Sequence, residues 1–351
     1  MSEQLTAQQR ANLFAMSTRQ NRHCMSKQRV TTPNTTIDFT IPKARFMSNI
    51  LVRCKAIVKA KHASQTKIDT TPLTANRLLR RVSLDLNNGF APFSISGEGL
   101  ALLNILRPNS NVFLSKNEFN NVPEELVVSA SGAENELVFT IQLQNTLNNR
   151  DLVGLILAQN ESTIINLKLD LGSPMDMYPE QPEGFEFDLV SFEALPMLET
   201  FSIPSNPNHI PDMSILKLCN DVLHTINTSG QNEILIPCNT IYRKLILFIT
   251  DDLGQPVEAD WITSNIDLVF NGADTNYSIN ADMLRALNVL ELGCDIPKGV
   301  FIFDFCNQGL SNYAGTRDYI DSTNLTEFKI RLNTAGKGKV KVITECLSRL
   351  V

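Results

Sequence analysis

The chain has 351 residues, of which 43% are hydrophobic and 19% charged, with a formal net charge of −6; this composition excludes a disordered chain, and the length suits two domains, each with a sizeable core. No apolar run reaches the roughly 18 to 20 residues that cross a bilayer, and the N-terminus lacks the apolar core and small-residue cleavage site of a secretory signal, so synthesis and assembly in a cytoplasm are expected. Seven scattered cysteines without a CxxC spacing argue against a disulfide framework or a zinc ribbon and read as reduced thiols, mostly core filler.

The charge is unevenly distributed. From Gln4 through Ile37 there is no Asp or Glu, while Arg10, Arg19, Arg22, Lys27 and Arg29 all fall in that stretch. Residues 1–29 carry a net +4 against −6 for the whole chain, which leaves about −10 for the rest. The segment "LTAQQRANLFAMSTRQNRHCMSKQR" (5–29) is helix-prone and basic, and residues 1–35 read as an arm that faces something other than what the acidic body faces.

Beyond residue 35 the chain is dominated by short alternating or apolar runs rich in Val, Ile, Leu and Phe, each ended by Asn, Gly, Pro or Asp, which is the pattern of many strands. Strands are predicted at 36–41, 46–60, 77–86, 136–144, 151–159, 162–171 and 185–195. In "FEFDLVSFEA" the residues Phe185, Phe187 and Leu189 alternate with acids, as one buried face requires. Four prolines between Pro196 and Pro211 mark a stretch where a regular ladder is not expected to survive. It is read as the connection, so the expected layout is a first sandwich over 36–196, a connection over 197–212 and a second sandwich over 213–351. In that second part strands are predicted at 233–238, 242–252, 264–272, 299–306, 325–333 and 339–350.

Helical spacing occurs once in each half, in "GEGLALLNIL" (97–106) and "NADMLRALNVLEL" (280–292). In the second, Asn280 offers a capping side chain ahead of an apolar face of Met283, Leu284, Leu287 and Leu290. The absence of βαβ alternation argues against a Rossmann or barrel enzyme.

Catalytic constellations are not visible. The four histidines, His23, His62, His209 and His224, are isolated, with no HxH or HxxxH, so the clustered imidazoles of a bicupin metal centre are not expected. "TDDLG" with Asp251 and Asp252 reads as a hairpin turn rather than a calcium or hydrolytic site, and "GKGK" (336–339) lacks the spacing and following helix of a P-loop. Nothing like GxSxG is present. Trp261 and the aromatics of "GVFIFDF" suit a sugar platform less well than a strand core. No enzyme activity, metal or cofactor is expected.

The order of features resembles the major capsid proteins of tectiviruses, tailless phages with a membrane inside an icosahedral shell. The residues that carry the resemblance are "LTAQQRANL" (5–13) opening a Gln-rich helix, "TANRLLRRVSLDLNNG" (74–89), and "IPKGVFIFDFCNQG" (296–309) directly after the second helical stretch. The resemblance implies a double jelly roll, an all-β fold of two tandem eight-stranded jelly rolls with a few short helices and an N-terminal helical arm. It implies homotrimers that present six similar units as a pseudo-hexagonal tile, contacts with neighbouring trimers and with minor capsid and vertex (penton) proteins, and a place in the virion after assembly in the host cytoplasm.

Within that reading the arm is the membrane-facing surface, through Arg10, Leu13, Phe14, Met16, Arg19, Arg22 and Lys27, each basic residue near anionic lipid contributing about 1 kcal/mol before screening. An intersubunit clasp or a disordered tail is the other reading of the arm. Direct nucleic-acid binding is not expected, since the five basic residues lack interleaved aromatics. A receptor- or carbohydrate-binding virion spike of β-sandwich fold is the alternative function.

Overall fold

The computed structural model describes residues 7–43, 45–87, 89–106, 111–147, 153–157, 163–210, 213–272, 274–306 and 319–349. The chain divides into two compact units, Met1–Ile105 with Asn111–Leu218 and Arg349–Val351, and Leu106–Ser110 with Cys219–Ser348.

The first unit holds eight principal strands: β1 (Gln20–Cys24), β2 (Thr36–Thr40), β3 (Phe46–Lys61), β4 (Leu79–Leu86), β5 (Phe90–Ile95), β6 (Ala133–Gln144), β7 (Ile165–Leu171) and β8 (Glu186–Phe201). Helix α1 (Ala7–Ser17) precedes them, and α2 (Gly97–Ile105) lies between β5 and β6. The strands form two antiparallel sheets, ordered β1-β8-β3-β6 and β2-β7-β4-β5. Strand β3 shows why: Ile50, Val52, Cys54, Ala56, Val58 and Ala60 are fully buried, while the residues between them turn outward with the period of two that a half-buried strand requires.

The second unit repeats this connectivity. Its strands are β9 (Ile215–Ile226, which begins in the first unit), β10 (Gly230–Ile236), β11 (Ile241–Asp251), β12 (Asn265–Phe270), β13 (Asp274–Asn280), β14 (Val300–Asp304), β15 (Phe328–Thr334) and β16 (Gly338–Arg349). Helix α3 (Ala281–Leu292) lies between β13 and β14. The sheets are ordered β9-β16-β11-β14 and β10-β15-β12-β13. Each strand therefore takes the place of the one eight before it, and α3 the place of α2. Tyr242 on β11 meets Phe328 on β15 edge-on at 5.3 Å, so the two sheets of this unit share one core. The fold is two tandem eight-stranded jelly rolls, each closing its hydrophobic faces sheet on sheet.

Asparagine makes several of the turns. Asn34, Asn87, Asn239 and Asn271 all have positive φ, a backbone region that its short polar side chain tolerates better than most.

Three expectations change. Residues 20–24 and 28–30 are not part of a separate arm; they pair with β8 as its outer neighbours, Gln20 to Phe201 through Cys24 to Met197, and Gln28 to Ala194 through Val30 to Phe192. β1 was illegible because all five of its residues are exposed, so no alternation marks it. The ladder also continues through Pro196, which is in register with Val52. The carbonyl of Pro196 accepts from the backbone N–H of Met25 at 2.9 Å, in the gap between the two short N-terminal pairings. Because N–H and C=O of one strand residue point the same way, the missing donor falls where the neighbouring strand is already interrupted. The strand thus ends at Phe201, and the next begins at Ile215.

The third change concerns the stretch 151–159. Its described part, residues 153–157, contributes only the single bridge between Ile156 and Met47 rather than a strand, and the rest lies outside the described residues. β5, β9 and β13 were not foreseen: β5 contains Pro92, β9 mixes buried and exposed positions without a clean period, and β13 is almost wholly exposed.

Candidate assembly surfaces

The N-terminal segment is fixed to the first unit by one aromatic ring, a strand ladder and ion pairs. Phe14 is 1% exposed and lies edge-on to Phe46 at 5.6 Å and to Phe201 at 5.5 Å, in a small core with Leu155. Its carbonyl accepts from the Thr18 hydroxyl at 2.7 Å and from the Thr18 backbone N–H at 3.0 Å, which ends α1. Arg19 and Ser202 then exchange hydrogen bonds, Arg19 N–H to Ser202 Oγ at 2.9 Å and Ser202 N–H to Arg19 C=O at 3.0 Å, and β1 follows.

The basic residues of the segment meet acids on β8. Arg22 pairs with Glu199 at 2.8 Å, and Lys27 and Arg29 pair with Glu193 at 2.9 and 3.7 Å. The Lys27 hydrogen bond, reinforced by the charges of Lys27, Arg29 and Lys55, holds the Glu193 carboxyl below its usual range.

The seven residues expected to face a membrane are therefore not gathered on one outward surface. Phe14 is a correction: it is core, because a ring with three apolar neighbours gains more from burial than from solvent. Leu13 is half-buried, and Arg22 and Lys27 are exposed but engaged with β8. What remains outward is the half-exposed Arg10, the 78% exposed Met16 and the exposed Arg19.

A second surface was not foreseen. In α3 only Ala281, Leu284 and Asn288 are buried. Asn280 caps the helix as expected, its Oδ1 accepting from Asp282 N–H at 3.0 Å and Met283 N–H at 3.4 Å. The apolar face read from the sequence is split, however: Leu284 points to the core, while Met283, Leu287 and Leu290 are 65%, 38% and 79% exposed. Asn288 takes the inner position because its amide exchanges two hydrogen bonds with the Ile302 backbone, at 2.9 and 3.0 Å.

Beside α3 a cleft of about 300 Å³ is lined by Tyr277, Leu287, Glu291, Phe303, Phe305 and Tyr319, among others. Tyr277 lies edge-on to Phe305 at 5.6 Å. Spacing gave Leu287 and Leu290 away as helical, but nothing in the sequence says which side of the helix is covered.

The other residues singled out by sequence take structural roles. Asp251 Oδ1 accepts from Leu253 N–H at 3.0 Å and Gln255 N–H at 2.8 Å, which is a turn. Gly338 of "GKGK" starts β16 so close to the next strand that a Cβ would lie 2.2 Å from the Thr250 carbonyl. The histidines are not brought together: His62 lies tilted against Phe185 at 4.4 Å, His209 meets Asn206, and burial pushes the His224 imidazole down from its ordinary pKa. Among the described residues no cluster of His, Cys, Asp or Glu is suited to a metal, and no helix is long and apolar enough to cross a membrane.

Connectivity of this kind defines a double jelly roll, and solved structures bear this out at the level of fold. The chain is similar to the major capsid protein of Sulfolobus turreted icosahedral virus (TM-score 0.68, 14% identity, covering 94% of this chain and 97% of that one). It is also similar to the capsid protein of the PBCV-1 virus (0.66, 10% identity, 93% of each chain) and to the major capsid protein of bacteriophage PM2 (0.55, 10% identity, 95% and 98%). The double jelly roll of viral major capsid proteins is thus the fold of this chain across nearly its whole length. No protein-family model and no curated protein sequence matches it.

Proposed function

We propose that the chain is a structural, non-enzymatic major capsid protein of tectivirus-like type that assembles as homotrimers into an icosahedral shell around an internal membrane. The observation that carries this reading is the repetition of one eight-strand connectivity in both units. Three copies then supply six similar sandwiches around a three-fold axis, which is a pseudo-hexagonal tile built from closed symmetry. The fold shared with capsid proteins of three viruses supports the same role.

Neighbouring trimers and minor capsid and vertex proteins are the partners such a shell requires, the virion is its location and the host cytoplasm its place of assembly. A membrane inside the shell would meet what the first unit leaves outward of the N-terminal segment; of the seven residues expected to face lipid, Arg10, Met16 and Arg19 are the ones so placed. Sedimentation of the purified protein tests the reading: the expected mass is three times the 39.1 kDa chain, with hexagonally outlined particles in negative stain, and a species near 39 kDa at micromolar concentration overturns it.

A further inference from the structure

The two helices that occupy the same place in the two jelly rolls are covered to different extents. Every residue of α2 is buried, and the chain after it supplies part of the cover: the helical turn Asn111–Leu114 packs against α2, and Phe113 meets Phe119 edge-on at 4.9 Å. Asn120 and Asn121 then pair with Phe139 and Val138 of β6. In the second unit residues 293–299 run from α3 to β14 without a helical turn or a strand, so no counterpart of 111–121 follows the helix.

The inner side of α3 is committed. Leu284 enters the core, Asn288 exchanges its two hydrogen bonds with the Ile302 backbone, and Arg285 donates to the carbonyls of Pro297 at 2.9 Å, Val300 at 3.1 Å and Ile296 at 3.2 Å. The other side turns Met283, Leu287 and Leu290 outward at i, i+4, i+7, which is the spacing of a seam between two packed helices. With Tyr277 and Tyr319 at the adjoining cleft, these make five of the fifteen exposed large hydrophobics among the described residues. Single exposed apolar residues are ordinary; a contiguous group rimmed by charge marks a contact surface.

The rim is acidic. Asp274, Asp282 and Asp295 are exposed and form no ion pair among the described residues. Glu291 lines the cleft but is already engaged within the chain. Of the two bases between Asp274 and Lys298, Arg285 is turned inward and Lys298 pairs with Glu258. An anionic bilayer would meet these acids with like charge, and α3 of a second copy would set Asp282 and Asp295 against their own kind.

We infer that the outer face of α3, with its cleft, is a docking surface for a separate polypeptide: an amphipathic helix that lays an apolar stripe along Met283, Leu287 and Leu290, seats an aromatic side chain in the cleft, and carries basic residues on its flanks. The apolar stripe and the ring do in the second unit what 111–121 does in the first, and the basic flanks answer the acidic rim. Helix-in-groove recognition reads such spaced anchors, with adhesion from the buried apolar contacts and partner choice from charge. The inference supplies the chemistry of a partner protein within the shell-protein reading, on which it rests.

The test uses the full chain, assembled, and a fluorescein-labelled synthetic helix of leucine and lysine with one tryptophan in its leucine stripe. Saturable binding to one site per chain is expected in anisotropy titrations. Leu287→Ala and Leu290→Ala are each expected to weaken it about tenfold, as loss of a central anchor does. Asp282→Asn and Asp295→Asn are each expected to weaken it about twofold, as loss of a rim charge does. Two further peptides, one with glutamate for lysine and one with serine for the apolar stripe, are expected not to bind. All four substituted positions are exposed, and circular dichroism verifies that each variant folds.

Affinity that is the same in all four variants, or binding of the serine peptide as tight as that of the leucine peptide, overturns the inference by assigning the binding to the acidic surface at large. A Leu290→Cys chain that takes a maleimide at residue 290 as a monomer but not after assembly also overturns it, since another copy then covers the face. If the unmodified protein stays monomeric, the shell-protein reading has failed; an assembled protein that does not bind the leucine and lysine helix leaves that reading standing and removes the inference alone.

Discussion

The two jelly rolls share a connectivity but not a way of finishing their surfaces. In the first, α2 packs so tightly that a Cβ on Gly97 would lie 2.2 Å from the Asn76 carbonyl, and Glu98 is drawn into a buried ion pair with Arg77 at 2.6 Å. In the second, α3 is capped by Asn280 and held inside by Leu284 and Asn288, yet leaves its apolar stripe in solvent. The difference teaches that jelly-roll topology fixes where a helix falls between the fifth and sixth strands, while side-chain chemistry decides whether that helix completes a core or presents a face.

The N-terminal strands differ in the same sense. β1 lies on the first unit with five exposed residues and is held largely by its backbone ladder and by the ion pair of Arg22 with Glu199, whereas its counterpart β9 carries buried Leu216, Cys219 and Ile226. The segment before β1 is therefore anchored mainly by a single ring, Phe14.

The largest expected effect compares the buried ion pairs of the two units. Arg243 and Glu345 lie 3.2 Å apart with side chains 3% and 7% exposed. Arg243→Met removes this buried ion pair and is expected to cost about 3–5 kcal/mol in denaturant unfolding, as is Arg77→Met, which removes the pair with Glu98 in the first unit. A loss confined to one unit breaks the equivalence. Next, Leu103→Ala in α2 is expected to cost about 2–5 kcal/mol, whereas Leu290→Ala in α3 is expected to stay within about 0.5 kcal/mol in the isolated protein. Equal costs would show that the two helices are finished alike.

Phe14→Ala removes the anchor of the N-terminal segment. Its cost is expected to be about 2–3 kcal/mol or less, below the usual range for a buried Phe, because the segment can detach while both sandwiches stay folded. Limited proteolysis should then cut first between α1 and β2, and cutting elsewhere would sink this account.

The smallest effect is that of acid. The depressed Glu193 carboxyl contributes stability that is fully present above its unfolded pKa of about 4 and is lost as pH falls through the lower folded value. Hydrogen exchange of residues 20–30 is expected to quicken below about pH 4. Glu233, held down by Lys329 and Arg331, places the same acid sensitivity on β10 of the second unit.

Much of the fold was legible from residue pattern. The long strands β3 and β11 and both helices between fifth and sixth strands lie within a few residues of where alternation, helical spacing and the Asn280 cap put them, since burial on one face imposes those periods locally. Tertiary structure alone decided the rest. It turned a polar, unpatterned stretch at 20–24 into a sheet edge, because an exposed strand is specified by its neighbour's free backbone groups rather than by its own side chains. It carried β8 through Pro196 by placing the missing donor at a gap in the adjoining strand, sent Phe14 inward between Phe46 and Phe201, and split one apolar helix face into Leu284 inside and Met283, Leu287 and Leu290 outside. A sequence records which residues avoid water, but which of them find cover depends on surfaces that arrive from far along the chain or, at an interface, from another copy of it.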